Sequence, residues 1–194
     1  KIFDEIYLCT DDKEIASYGK NIGFKVPQLR PKYLAQDNSD VFDTHNFFFK
    51  KNNINNQNSL ACIINNNPFI TSQIIKKTFQ KFKVNKFKNV TMCAKKINTD
   101  QIYFRQSLLK KTKLFPIFKK KLISSKINRQ KVINTYVNIG DIRWGQPSQL
   151  ISYKKFNIEI CKNGYENLII NDQIYHDLNE LKDWKIAELK FKNI

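Results

Sequence analysis

The chain has 194 residues and a mass of 23.0 kDa, the size of one globular domain that buries roughly two-thirds of its unfolded surface without staples. Its 34 basic and 17 acidic residues give a formal charge of +17, which draws polyanions at long range. Four cysteines without Cys-x-x-Cys spacing argue against a zinc site, and no run approaches the ~20 apolar residues of a membrane span. These features point to a cytoplasmic, soluble protein with thiols in a reducing compartment.

The charge has two readings. Lys, Asn, Ile and Phe are enriched together, as in Lys51-Asn52-Asn53-Ile54-Asn55-Asn56, so composition drift is the simpler one. Nucleic-acid binding is the lesser alternative, because a binder's footprint is a clustered stripe. The densest cluster is Lys76, Lys77, Lys81, Lys83, Lys86 and Lys88. Phe79, Phe82 and Phe87 interleave with it, and helical spacing from Ile75 assigns these aromatics to a core-facing stripe.

In chain order, residues 2–9 read as a buried strand, followed by a helix whose capping box is Asp11 with Glu14. Ile15, Tyr18, Gly19 and Ile22 form its inner face, Gly23 stops it, and Phe24-Lys25-Val26 extends again. A second helix starts from Asp40 or Asp43 and runs to about Gln57, leading into a strand at Leu60–Ile64. A third is capped by Thr71 or Ser72, reaches about Phe82 and precedes a strand at Val90–Ala94. Residues 97–130 read as an irregular insertion with one or two strands and as the surface for a homodimer. Val137–Trp144 is a strand, Pro147–Tyr153 a helix, Leu168–Ile170 a strand, and a last helix from Asn179 turns Leu181, Trp184 and Ala187 inward. This alternation predicts a single α/β domain over 1–194 with a mainly parallel sheet flanked by helices, whose ligands sit at strand carboxyl ends.

Several segments carry more specific chemistry. Thr10-Asp11-Asp12 is followed by Arg30-Pro31, Leu34-Ala35 and Asp37; Ala61-Cys62-Ile63-Ile64 by Asn65-Asn66-Asn67-Pro68-Phe69. Asn128-Arg129-Gln130 precedes Tyr136, Asn138-Ile139-Gly140 and Trp144-Gly145. Asp177-Leu178-Asn179 precedes Asp183-Trp184 and Ala187-Glu188. In order and spacing these resemble the cytidylyltransferases that activate nine-carbon sugar acids as CMP-sugars, with the pseudaminic acid branch nearest. The resemblance implies a nucleotide-sugar transferase (Rossmann-like) fold and transfer of CMP from CTP to a nonulosonic acid, pseudaminic or sialic in type, for surface glycans.

By the same resemblance Arg30 holds the nucleotide, where a guanidinium's forked donors suit ribose or phosphate oxygens. Arg129 and Gln130, with Asn66 and Asn67, serve the sugar side. Asp177 takes Mg²⁺, and it and Arg30 converge on a common cleft. The chain departs from the family at several points. The family's Asp-x-Asp metal pair reads Asp177-Leu178-Asn179, which removes a charge from a hard-cation site. Asp141 and Arg143 stand where Gln and an aromatic are usual. A Gly-rich phosphate loop does not occur among the five glycines, so the first strand and loop are expected to precede Lys1, with the chain as a fragment without turnover. The alternative is a remnant or binding module that keeps the scaffold. His176, beside Asp177, reads as a surface residue rather than a general base.

Overall fold

The computed structural model describes residues 1–54, 59–87, 90–97, 107–110, 113–117, 120, 136–170 and 176–193. The helices are α1 (Lys13–Asn21), α2 (Val41–Lys51), α3 (Ser72–Val84), α4 (Pro147–Leu150), α5 (Tyr153–Asn163) and α6 (Leu181–Phe191), with a 3₁₀ turn at Lys32–Leu34. The strands are β1 (Ala61–Ile64), β2 (Thr91–Lys96), β3 (Ser107–Lys110), β4 (Lys113–Pro116), β5 (Tyr136–Gly145) and β6 (Glu166–Ile170). Four of them form a sheet in the order β1-β5-β2-β6, and β3 pairs with β4 separately, giving an α/β architecture in which helices flank a sheet. β1 runs antiparallel to β5, with Cys62 opposite Trp144 and Ile63 opposite Arg143. Among the described residues no helix is long and apolar enough to cross a membrane.

By contact density the chain divides into two compact units: Lys1–Ile64, Thr71–Met92 and Ile142–Asn167 make one, and Asn65–Ile70, Cys93–Asp141 and Leu168–Ile194 the other. The first unit has an aromatic core in which Phe42, Phe48 and Phe49 of α2 pack with Val90, Met92, Leu150 and Phe156. α3 turns Ile74, Thr78 and Phe82 inward at the spacing of a helical stripe. Trp144 of β5 closes that face: its indole N–H donates to Thr78 Oγ1 at 2.9 Å, and Phe3, Phe79 and Phe82 lie within 6 Å of its ring.

Several local expectations are corrected. In place of the strands expected at 2–9 and 24–26, the opening segment contributes one parallel bridge, Tyr7 with Lys25. Leu8 N–H donates to Lys25 O and Lys25 N–H to Ile6 O, and the pairing goes no further. The cap of α1 is Asp12, whose carboxylate accepts from the backbone of Glu14 and Ile15, which leaves Asp11 for another partner. The helix packs by its small residues, Ala16 and Gly19, while Ile15, Tyr18 and Ile22 stay exposed. The approach is close: a Cβ on Gly19 would lie 2.4 Å from Leu8 Cδ2. Gly23, at φ +96°, supplies the left-handed stop.

Farther along, α2 is capped by Asp40 and ends at Lys51, where the expected helix went on to about Gln57. The helix expected over Pro147–Tyr153 ends at Leu150, and α5 begins at Tyr153 in a stretch for which no element was expected. Ser152 caps it, Phe156 carries its burial, and Gly164 follows its last turn at φ +67°. In α6 Ala187 is buried, whereas Leu181 is 73% exposed and Trp184 54%.

His45 of α2 has its Nδ1 3.2 Å from Leu150 O and its ring edge-on to Phe42. Burial, with the Arg143 cation nearby, lowers its pKa from 6.5 to about 4. The folded protein therefore keeps a neutral imidazole where the unfolded chain would take up a proton. His45 contributes its full share of stability above pH 6.5, and that share is lost as pH falls toward 4. Between pH 7 and 5 the wild type should lose about 2 kcal/mol more unfolding free energy than His45→Gln, read from urea titrations at each pH. Parallel losses in the two proteins would contradict this.

Candidate functional site

Within the first unit, the carboxyl end of the opening segment holds Thr10, Asp11 and Asp12. Thr10 is buried, its Oγ1 accepts from Asp12 N–H, and its carbonyl accepts from Arg30 N–H at 2.8 Å. These bonds fix the arginine's backbone beside the start of α1. The side chain then turns to Asp11: a guanidinium N–H donates to Asp11 Oδ1 at 2.5 Å, and the pair stays partly exposed. Arg30 holds the Asp11 carboxyl below the usual carboxylate range. The Nε–H of Arg30 is buried and makes no hydrogen bond among the described residues. The guanidinium is oriented by one carboxylate. Sequence reasoning assigned Asp11 to the cap and missed this role; the signal was two adjacent aspartates at one helix start, of which only one can cap.

Arg143 has its guanidinium carbon 5.4 Å from the ring centre of Phe42 and 5.7 Å from that of Phe156. Its charge is placed over aromatic faces, which explains how a strand position that usually carries an aromatic accommodates an arginine.

The second unit holds the asparagine turn and the segment before α6. Asn67 is 6% exposed, donates from Nδ2 to Asp141 Oδ2 at 2.7 Å, and accepts Phe69 N–H on its Oδ1 at 3.0 Å. Asn65 N–H donates to the backbone carbonyl of Asp141. Asp141, 3% exposed, is thus a ligand of the turn, and its charge adds to the burial that pushes the Cys93 thiol up to about 12. Asn66 is exposed and donates from Nδ2 to Leu178 O at 2.7 Å, which brings the turn and the 176–180 segment together. The amide nitrogens of Asn66 and Asn67 are engaged within the protein. The side-chain oxygen of Asn67 closes the turn by accepting Phe69 N–H, while Asn66 stays exposed.

Asp177 is exposed, and its Oδ2 accepts from Asn179 Nδ2 at 3.1 Å. Asp183 Oδ2 accepts the backbone N–H groups of Asn179 and Glu180 at 3.0 and 2.8 Å, bonds that hold its carboxyl below the ordinary range. His176 has its Nε2 2.6 Å from Asp183 O and its ring edge-on to Phe69. Beside this segment a cleft of about 340 Å³ is lined by Pro68, Phe69, Leu178, Trp184, Ala187 and Phe191, with Glu188 and Lys192 at its polar side. Among the described residues no group of three or more His, Cys, Asp or Glu side chains is placed to hold a metal ion. The oxygen donors at Asp177 and Asn179 suit a hard divalent cation in kind, and they supply one formal charge. Arg129 and Gln130 lie outside the described residues.

Residues 1–176 match the cytidylyltransferase family. One solved structure, CMP:2-keto-3-deoxy-manno-octonic acid synthetase complexed with CTP, is similar over 98% of this chain and 82% of its own length, with a TM-score of 0.63 and 12% sequence identity. At that identity the likeness is one of fold. No curated protein matches the sequence.

The buried Asn67–Asp141 bond gives a direct test. Asn67→Ala strips a charge-assisted donor from a buried carboxylate and frees Phe69 N–H, so unfolding free energy should fall by about 2 kcal/mol or more. Chemical denaturation measures it, and a loss near zero would show that the turn does not rely on this amide.

Proposed function

The chain belongs to the cytidylyltransferase family, and we propose that it transfers CMP from CTP to a nonulosonic acid of pseudaminic or sialic type. Family membership carries the reaction class. The sugar class draws on the run Cys62-Ile63 through Pro68-Phe69 and on Trp144-Gly145. A hydroxyl oxygen of the sugar acid attacks the α-phosphorus of CTP, the bond to the β-phosphate oxygen breaks, and pyrophosphate leaves with the electron pair. The hydroxyl proton passes to solvent.

Arg30 is the nucleotide-binding residue in this reading. Its geometry favours that role, because Asp11 and the Thr10 carbonyl hold it in one orientation before ligand arrives, reducing the ordering cost of binding. Arg129 and Gln130 orient the sugar acid, and Asn66 offers it an amide oxygen. Asn67, buried against Asp141, acts by holding the turn's shape. Mg²⁺, when bound, would neutralise triphosphate charge, and Asp177 would hold it together with the amide oxygen of Asn179.

That amide now turns its nitrogen to Asp177, so it must rotate to offer oxygen. A second reading, a binding module with the same scaffold and little turnover, draws on this arrangement and on the single formal charge. One experiment separates the two. Pyrophosphate release by the full-length protein is followed with CTP, Mg²⁺ and a panel of pseudaminic, sialic and eight-carbon keto-sugar acids. The enzyme reading expects release with a nine-carbon acid, and Asn179→Asp should lower the Mg²⁺ concentration for half-maximal rate by about tenfold, since it restores a second negative charge beside the cation. No release by either protein across the panel would leave the binding module standing.

A further inference from the structure

The net positive charge of this protein arises in the middle of its sequence. Residues 44–140 contain 20 Lys and Arg and a single acidic residue, Asp100, whereas the remainder has 14 basic and 16 acidic residues. General enrichment in lysine would raise the basic count everywhere and would not deplete carboxylates from half the chain. The segregation therefore marks a local feature, and α3 shows its form.

Ile74, Thr78 and Phe82 occupy the inner face of α3. Lys76, Lys77, Lys81 and Lys83, followed by Lys86, are all exposed. The helix has no acidic residue, and among the described residues no carboxylate pairs with any of these five lysines. A solvated helix face ordinarily mixes signs, because like charges three and four residues apart repel. This one accepts that repulsion along its length.

We infer that the α3 face docks on an anionic lipid bilayer. Two observations favour a bilayer over nucleic acid. First, the aromatics among the lysines are used internally: Phe79 and Phe82 pack on Trp144, and Phe87 on Phe82, so no ring is left as a platform for bases. Second, the cations of residues 44–140 are 18 lysines and only two arginines, Arg105 and Arg129. Lysine is a hydrated point charge without the fork that reads phosphate geometry. Such a face suits the diffuse potential of a lipid surface, to which each lysine adds independently. With its core side committed to Trp144, α3 would lie on the headgroups without inserting.

The test is sedimentation of the full chain with phosphatidylcholine vesicles, with and without phosphatidylserine, in low and high salt. The protein should partition onto phosphatidylserine vesicles only, and high salt should release it. Reversal of four charges, Lys76→Glu, Lys77→Glu, Lys81→Glu and Lys83→Glu together, should weaken partitioning about tenfold or more. The corresponding Gln variant, milder toward folding, should fall between, with circular dichroism confirming that each variant is folded. Lys154→Glu with Lys155→Glu, on the exposed side of α5, should change partitioning much less. Equal binding to neutral vesicles, no binding to anionic ones, indifference to the α3 changes, or tighter retention of poly(U) than of vesicles at matched salt would each overturn the inference.

Discussion

The burial of Trp144 is the constraint on which the first unit depends. An indole carried into a core must find an acceptor for its N–H, and the acceptor here is the hydroxyl of Thr78, a residue with no exposure on the inner face of α3. That hydroxyl lies 3.1 Å from Ile74 O and 3.0 Å from Ile75 O, so it can accept from the indole while donating to its own helix. One hydroxyl thus ties β5 to α3 and fixes the rotation of the helix about its axis. The rotation sends Phe79 and Phe82 onto the indole and leaves the lysines outside. A threonine in a helix interior costs some propensity, and here the cost is offset by the strand it anchors.

Carboxylates organise the rest, and each does so by giving up freedom. Asp12 caps α1, Asp40 caps α2 and Asp183 accepts the first backbone donors before α6. Asp11 orients Arg30, and Asp141 holds the asparagine turn. In a chain with twice as many cations as carboxylates, few acids remain for chemistry. Asp177, exposed and accepting from the neighbouring Asn179, is the one that the proposed function assigns to the metal.

Much of this was legible in the sequence where one local signal acted alone. The apolar runs of β1, β2 and β5 and the stop at Gly23 follow from residue chemistry, and the caps at Asp40 and Thr71 are each one of the two residues the sequence offered. Expectations failed where two signals competed. Asp11 and Asp12 offered the same cap, and a neighbouring guanidinium, invisible in sequence order, decided between them. The helix expected over Pro147–Tyr153 is divided at Ser152, whose side chain caps a second helix that ends at Gly164 and whose burial rests on Phe156. Ile15, Tyr18 and Ile22 obey helical spacing, and the core still took Ala16 and Gly19, because Leu8 approaches too closely for larger side chains. The asparagine turn looked like a sugar-binding run; Asp141, 74 positions away from Asn67, gives it a structural partner that spacing could not supply.

The claim at the centre is that Arg30, pre-oriented by Asp11, holds the nucleotide. Calorimetric titration of CTP into the wild type, Arg30→Lys and Arg30→Ala tests it most directly. Loss of a charge-assisted, forked donor should raise the Kd roughly tenfold to a hundredfold in Arg30→Ala, with Arg30→Lys between. Equal affinity in all three proteins, or no CTP binding by the wild type, would contradict it.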